Sequence, residues 1–220
     1  LAAAHPGLVR VLAVPPRPPR TKPRACNVGL FYATGEYLVI YDVEDRPDPD
    51  QLKRAVLAHR AAGGGLLAVI AALAYRNREG NLLTRLAARE DSAWFEAILP
   101  GMIRLGLPVP LPAASCHYRT DRLRDLGGWD SYNTASDTDL GVRAAMRGFR
   151  VARFASRTTE QVPEGIVPWV LQRARWLRGY LQTGLAHARN PIPLGRRAGL
   201  RQFTAFLLFV LGTPTAFLLL

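Results

Sequence analysis

The chain has 220 residues, 49% of them apolar, with 29 basic and 17 acidic side chains and a formal charge of +12. That composition belongs to a folded chain of one large domain, or one domain with an appendage, and not to a low-complexity segment. Two cysteines, Cys26 and Cys116, show no metal-ligand spacing, so a disulfide framework or zinc site is not expected and free thiols are.

In chain order, "LVRVLAV" (8–14) reads as a strand. "PPRPPRTKPR" (15–24) reads as a basic loop, because proline fixes φ and removes a donor. "ACNVGLFYAT" (25–34) fits a short helix ended by Gly35. "YLVIY" (37–41) is a continuous apolar run, as in a strand covered on both faces. A helix follows, with Asp48 as its cap, Pro49 in its first turn and Gln51 completing a capping box. "GLLAVIAALAY" (65–75) is a strand, with helix as the alternative, and 81–106 is helical with an apolar face. "SDTDLGVRAAMRG" (136–148) is a helix ending at Gly148, "FRVARFA" (149–155) alternates like a strand, and 167–189 is a long amphipathic helix. Strands alternating with helices predict an α/β layer fold.

The apolar run "FTAFLLFVLGTPTAFLLL" (203–220) reaches about 18 residues, the length at which a transmembrane helix is the leading expectation, with a packed core helix as the alternative. Arg196, Arg197 and Arg201 precede it, which places its start on the cytoplasmic side. No signal peptide is recognised at the N-terminus. A start at Leu1 and a stop inside an apolar run suggest a fragment lacking its first and last elements.

The most informative stretch is "YLVIYDVEDRPDPDQL", where an apolar strand runs into Asp42, Glu44 and Asp45. In open α/β sheets, ligands bind beyond the C-terminal ends of strands. Adjacent carboxylates repel unless they are solvated or bridged by a cation, and Mg²⁺ or Mn²⁺ prefers carboxylate oxygen. On an extended segment, Asp42 and Glu44 would point the same way. An ordinary acidic turn is the competing explanation.

These residues, with "TKPRACN" before them, "LRDLGGWD" (123–130), "ASDTDLGVRAAMRGFRV" (135–151) and "QRARW" (172–176), resemble the bacterial membrane-embedded, cellulose-synthase-like glycosyltransferases of family 2. The resemblance implies a GT-A type domain with a mixed central sheet over 1–165, incomplete at its N-terminus. It further implies an interfacial helix and basic linker over 166–199 and a transmembrane start over 200–220. The resemblance also implies a nucleotide-sugar donor, UDP-linked, with Mg²⁺ or Mn²⁺ and a glycan or lipid-linked acceptor. Membrane lipid is a further implied partner, and the location is the cytoplasmic face of the bacterial inner membrane. Carried over by position, Asp42 and Glu44 fall on the metal and diphosphate motif, with Asp45 as an extra ligand. Asp137 falls on the general base. Gln172 and Arg175 serve the diphosphate, and Trp176 serves the acceptor sugar. Lys22, Arg24 and Asn27 lie in a segment like the one that contacts the nucleotide.

The chemistry asks for these types. Sugar transfer with inversion needs a base for the acceptor hydroxyl proton, and a cation for the charge gathering on the leaving diphosphate. On a helix, Gln172, Arg175 and Trp176 stand at i, i+3 and i+4 and share a face, extended by Trp169 and Tyr180. Ser136 and Asp139 also make a capping pattern in which Asp137 would suit the helix dipole. His117 is expected to pack rather than ligate. The chain departs from the family where Ala135-Ser136-Asp137 stands for T-E-D and "PAASCHYR" (112–119) for a glycine-rich acceptor segment. Those changes motivate a second reading, a degenerate membrane-bound scaffold. Charge alone suggests nucleic-acid binding, but no zinc spacing or RNA-binding motif accompanies it, so nucleic acid is not an expected partner.

Overall fold

The computed structural model describes residues 2–5, 7–189 and 199–218. Five strands form one mixed sheet: β1 (Tyr37–Val39), β2 (Arg46–Pro47), β3 (Leu66–Tyr75), β4 (Cys116–Arg119) and β5 (Arg150–Glu160). Their order is β1-β4-β3-β5-β2. β3 and β5 run parallel, and every other pairing is antiparallel.

β3 organises the domain. Leu67 to Ala71 are fully buried, as an unbroken apolar run inside a two-sided layer requires. Successive residues serve opposite faces. Ala68, Ile70 and Ala72 join the main core with Phe95, Leu99 and Leu140, whereas Val69 and Ala71 meet Ala55 and Phe154 behind the sheet. The helices are α1 (Lys22–Tyr32), α2 (Gln51–Ala62), α3 (Leu82–Ala93), α4 (Leu99–Arg104), α5 (Thr120–Asp125), α6 (Ser136–Met146) and α7 (Ile166–Ala188). A π-turn over Trp94–Ile98 joins α3 to α4 and places Pro100 in the first turn of α4, where its missing N–H matters least.

Several expectations need correction. Residues 8–14 form no strand: Leu8 and Val11 are exposed, and alternation without a partner strand buries nothing. α1 starts earlier than expected, at Lys22, with Pro23 in its first turn, where no N–H is needed. β1 is a half-buried sheet edge, not a strand covered on both faces. Asp48 does not cap α2; its carboxylate accepts from Arg157 N (2.8 Å) and Ser156 Oγ (2.9 Å). Gln51 makes no capping box and instead bonds to β5 through Thr158 Oγ1 (3.0 Å). At α6, Ser136 is the first helical residue and the cap position is Ala135, whose N–H is held by Asn133 Oδ1 (2.9 Å).

The apolar C-terminal run is helical over Leu200–Phe206, passes through a π-turn over Leu207–Leu211 and continues to Leu218. Phe206 and Val210 pack with Val142 of α6, and Leu211 presses on Gly184 of α7. Among the described residues no helix is long and apolar enough to cross a membrane. Over its described residues the run packs on the domain through Phe206, Val210 and Leu211. Arg196 and Arg197 of the basic linker lie outside the described residues.

Candidate active site

Beyond β1 the chain reaches Tyr41, whose hydroxyl donates to Gln51 Oε1 (2.7 Å), and then turns. Asp45 N donates to Asp42 O (3.0 Å), and Asp45 Oδ2 accepts from Asp42 N (2.7 Å). Residues 42–45 are thus a tight turn, not an extended segment, and Val43 and Glu44 stand exposed at its corner. The expectation that Asp42 and Glu44 share a direction is corrected by that turn. Among the described residues, no group of three His, Cys, Asp or Glu is gathered as a metal-binding set, so Asp42, Glu44 and Asp45 do not form a three-ligand cluster.

Lys22, in the first turn of α1, reaches Asp42: Nζ lies 2.5 Å from Oδ1. The same ammonium donates to Ala113 O (3.2 Å), in the segment that stands where the family has glycines. Asp137, in the first turn of α6, completes the group. Trp129 Nε1 donates to Asp137 Oδ1 (2.9 Å). Trp129 is itself buried, stacked edge-on against Tyr118 at 5.6 Å. Asn27 of α1 holds its backbone from both sides, Nδ2 to Trp129 O (2.7 Å) and Trp129 N to Oδ1 (2.9 Å). Gly128, at φ +68°, has no room for a Cβ beside the Asn27 amide. Asn27 therefore spends its amide on the loop carrying Trp129. Arg24 donates to Arg17 O and, with Asn27, lines a cleft of about 520 Å³ between α1 and residues 10–15.

Electrostatics show that these groups share one place. Burial raises the Asp137 carboxyl to about 6; the Trp129 N–H and Lys22 oppose the rise, and Asp42 adds to it. Cys26, one turn along α1, feels the same three charges. Burial raises its thiol to about 11, Lys22 lowers it, and Asp137 and Asp42 raise it. Such a thiol is inert. His117 is pushed down to about 4, first by burial and then by His59, and its Nε2 lies 3.2 Å from Gln51 Oε1, so it packs as a neutral ring as expected.

A second acidic group adjoins the first and was missed in the sequence. Glu160, the last residue of β5, is raised to about 7 by burial and then by Asp91, Asp45, Asp42 and Glu44. Asp91 of α3 is raised to about 7 by burial, although a Tyr75 hydrogen bond and Arg173 oppose this. Glu160 carries the signal that singled out Asp42, an acid at the end of a strand.

α7 lies against this ensemble. Arg175 O accepts from Thr134 Oγ1 (3.2 Å), and Gly179 abuts Ala135 so closely that a Cβ would overlap it. The helix is thus packed on the residues leading into Asp137. Gln172 and Trp176 are half-buried. Arg175 is exposed, and among the described residues its guanidinium has no ion-pair partner.

A divalent cation fits one corner of this site. Asp45 Oδ1 is buried with no hydrogen-bond partner in the structure, beside the Asp42 carboxylate. An orphaned carboxylate oxygen is what a hard cation satisfies, and Mg²⁺ commonly uses only one or two carboxylates plus phosphate oxygens.

A mixed sheet flanked by helices, with its acids beyond the strand ends, is an α/β domain of the GT-A type. The same fold occurs in the mannosyltransferase PcManGT from Pyrobaculum calidifontis, solved with GDP-Man and Mn²⁺, at a TM-score of 0.63 and 24% identity over 99% of this chain and 63% of that one. The family model "Glycosyl transferase family group 2" matches residues 37–220, and the chain belongs to that family. It is 30% identical over 173 residues to the probable glycosyltransferase YdaM of Bacillus subtilis, covering 77% of this chain and 40% of that protein. It is 24% identical over 147 residues to glucomannan 4-beta-mannosyltransferase 1 of Oryza sativa subsp. japonica, covering 66% of this chain and 28% of that protein. The chain therefore spans well under half the length of these curated relatives.

Proposed function

We propose that this chain carries the catalytic centre of an inverting, metal-dependent hexosyltransferase that moves a sugar from a nucleoside-diphospho-sugar to a glycan or other hydroxyl acceptor. The observation that carries the reading is Asp137, a half-buried side chain whose carboxyl is raised to about 6 and which adjoins the Lys22–Asp42 pair. At neutral pH it is ionised, yet it is more basic than an ordinary carboxylate, as a general base should be. Its Oδ1 is engaged by Trp129, which leaves Oδ2 to take the acceptor proton. The acceptor oxygen then bonds to the anomeric carbon from one face. The bond to the diphosphate breaks on the other, and its electron pair stays with phosphate. Lys22 and Arg175 would supply positive charge for that leaving group. A Mg²⁺ or Mn²⁺ held by Asp42 and Asp45 would neutralise the diphosphate. Trp176 offers a ring face to the acceptor sugar.

Two relatives are named for mannosyl transfer, so GDP-mannose stands beside UDP-hexoses as the donor to test. Membrane lipid is the proposed neighbour of the outer side of α7, where Ile166, Val167, Val170, Leu171 and Leu185 are exposed near Arg175 and Arg178. The cytoplasmic face of the bacterial inner membrane is the location proposed with it.

The test incubates the full-length protein with each donor and Mn²⁺ and measures release of nucleoside diphosphate, beside Asp137→Asn. Turnover by the parent and about a thousandfold less by the variant is expected, within the range general bases supply. Equal rates would remove Asp137 as the base. Donor binding without turnover in either would support the scaffold reading instead.

A further inference from the structure

We propose that Arg173, the unassigned second residue of "QRARW", is a positioning residue that fixes the plane of Trp176. The inference rests on the reading of Trp176 as the acceptor platform. On α7, residues 169, 173 and 176 stand at i, i+4 and i+7 and form one stripe. The Arg173 guanidinium lies 5.1 Å from the Trp169 ring centroid and 4.9 Å from that of Trp176, so the cation sits between two indoles. It is held there from outside the helix. Nη1 and Nη2 donate to both carboxylate oxygens of Glu90 on α3, at 2.6 and 2.5 Å. The Arg173 side chain is only 17% exposed.

Each contact does separate work. The two-toothed pairing with Glu90 sets the orientation of the guanidinium plane, which a single point charge could not do. Trp169 is anchored in turn among Tyr75, Ala87 and Val162. The chain of support therefore runs from the core, through Trp169 and Arg173, to the Trp176 ring. A ring that stacks on a sugar must present a fixed face, and rotamer freedom lost beforehand is not lost on binding. Arg173 is committed through Nη1 and Nη2 to Glu90 and through its flat face to the two indoles, and only its buried Nε makes no hydrogen bond.

The full-length protein is assayed with separate donor and acceptor titrations for Arg173→Lys, Arg173→Met, Glu90→Gln and Trp176→Ala. Arg173→Lys keeps the charge but loses the fork and the flat stack. It and Glu90→Gln are expected to raise the acceptor KM by about tenfold, equivalent to ~1.4 kcal/mol of ring placement, while the donor KM stays within about twofold. Arg173→Met is expected to do the same or more. An unchanged acceptor KM in Arg173→Lys and Glu90→Gln, with Trp176→Ala raising it, overturns the proposal and leaves the platform reading standing. An unchanged acceptor KM in Trp176→Ala overturns both. Donor and acceptor KM rising together would show Arg173 acting on the donor or on the fold, and would equally end the proposal.

Discussion

Asp137→Asn should stabilise the folded protein even as it removes the proposed base, and the gain should depend on pH in a defined way. In the folded protein the carboxyl is raised from 3.8 to about 6, because burial costs the anion more than Trp129 and Lys22 return. At 1.36 kcal/mol per tenfold change in proton affinity, ionised Asp137 costs the fold about 3 kcal/mol. The unfolded chain gives up this proton first as pH rises. Asp137's contribution to stability is therefore full below about pH 4, is lost progressively towards pH 6, and stays lost above it. Asparagine keeps an oxygen to accept from Trp129 Nε1 but cannot ionise. The stability difference between variant and parent should thus grow by about 2.5 kcal/mol between pH 4 and 7 and then level off near the full value. Urea unfolding of both proteins at pH 4, 5, 6, 7 and 8 measures it, and taking the difference cancels Asp91 and Glu160, which titrate in both. A difference that is flat with pH, or one that turns against the variant above pH 6, would refute the reasoning. It would mean that Lys22 compensates the anion in full.

Two further outcomes follow from the same geometry. Trp129→Phe keeps an aromatic ring against Tyr118 but loses the N–H that opposes the rise of Asp137, so the acid limb of the kcat/KM profile should move to higher pH; an unmoved limb would deny Trp129 its role. Gln51→Leu strips partners from the Tyr41 hydroxyl and Thr158 Oγ1 in a fully buried position. A loss of about 3 kcal/mol in urea unfolding is expected, with a raised donor KM as Tyr41 releases the Asp42 turn.

The sequence disclosed those parts of the molecule whose reasons are local. β3 is legible as a buried element because its apolar run is unbroken, though the run alone left strand and helix both open, and α7 because its periodicity extends over six turns. Asp42 and Asp137 were legible as an acid at a strand end and an acid at a helix start. What stayed hidden is set by tertiary partners. Nothing near Lys22 in sequence says that it will meet Asp42, or near Trp129 that its indole will face Asp137. Glu90 and Arg173 are more than 80 residues apart. The turn at 42–45 was misread because Val43 and Glu44 suit a strand as well as a turn, and only the Asp45 side chain returning to Asp42 N decides it. Residues 8–14 failed for the opposite reason: their pattern is that of a strand, but no neighbour pairs with them. The helix starting at Asn81 was read correctly, but its cap was a missed local signal, since Asn81 and Thr84 cap one another reciprocally.

Two aspartates, 137 and 139, open the same helix with opposite fates. Asp139 is pinned by Arg143 Nε at 2.7 Å and by His187 Nε2 at 2.8 Å, and the His187 ring rests edge-on against Phe206. The first turn of α6 is thereby bolted to α7 and to the apolar helix behind it. A displacement of that apolar helix would be passed through His187 and Asp139 to the turn that carries Asp137. The proposed proton acceptor is in this sense mounted on the apolar helix packed behind it, and whatever fixes the position of that helix also aims the carboxyl.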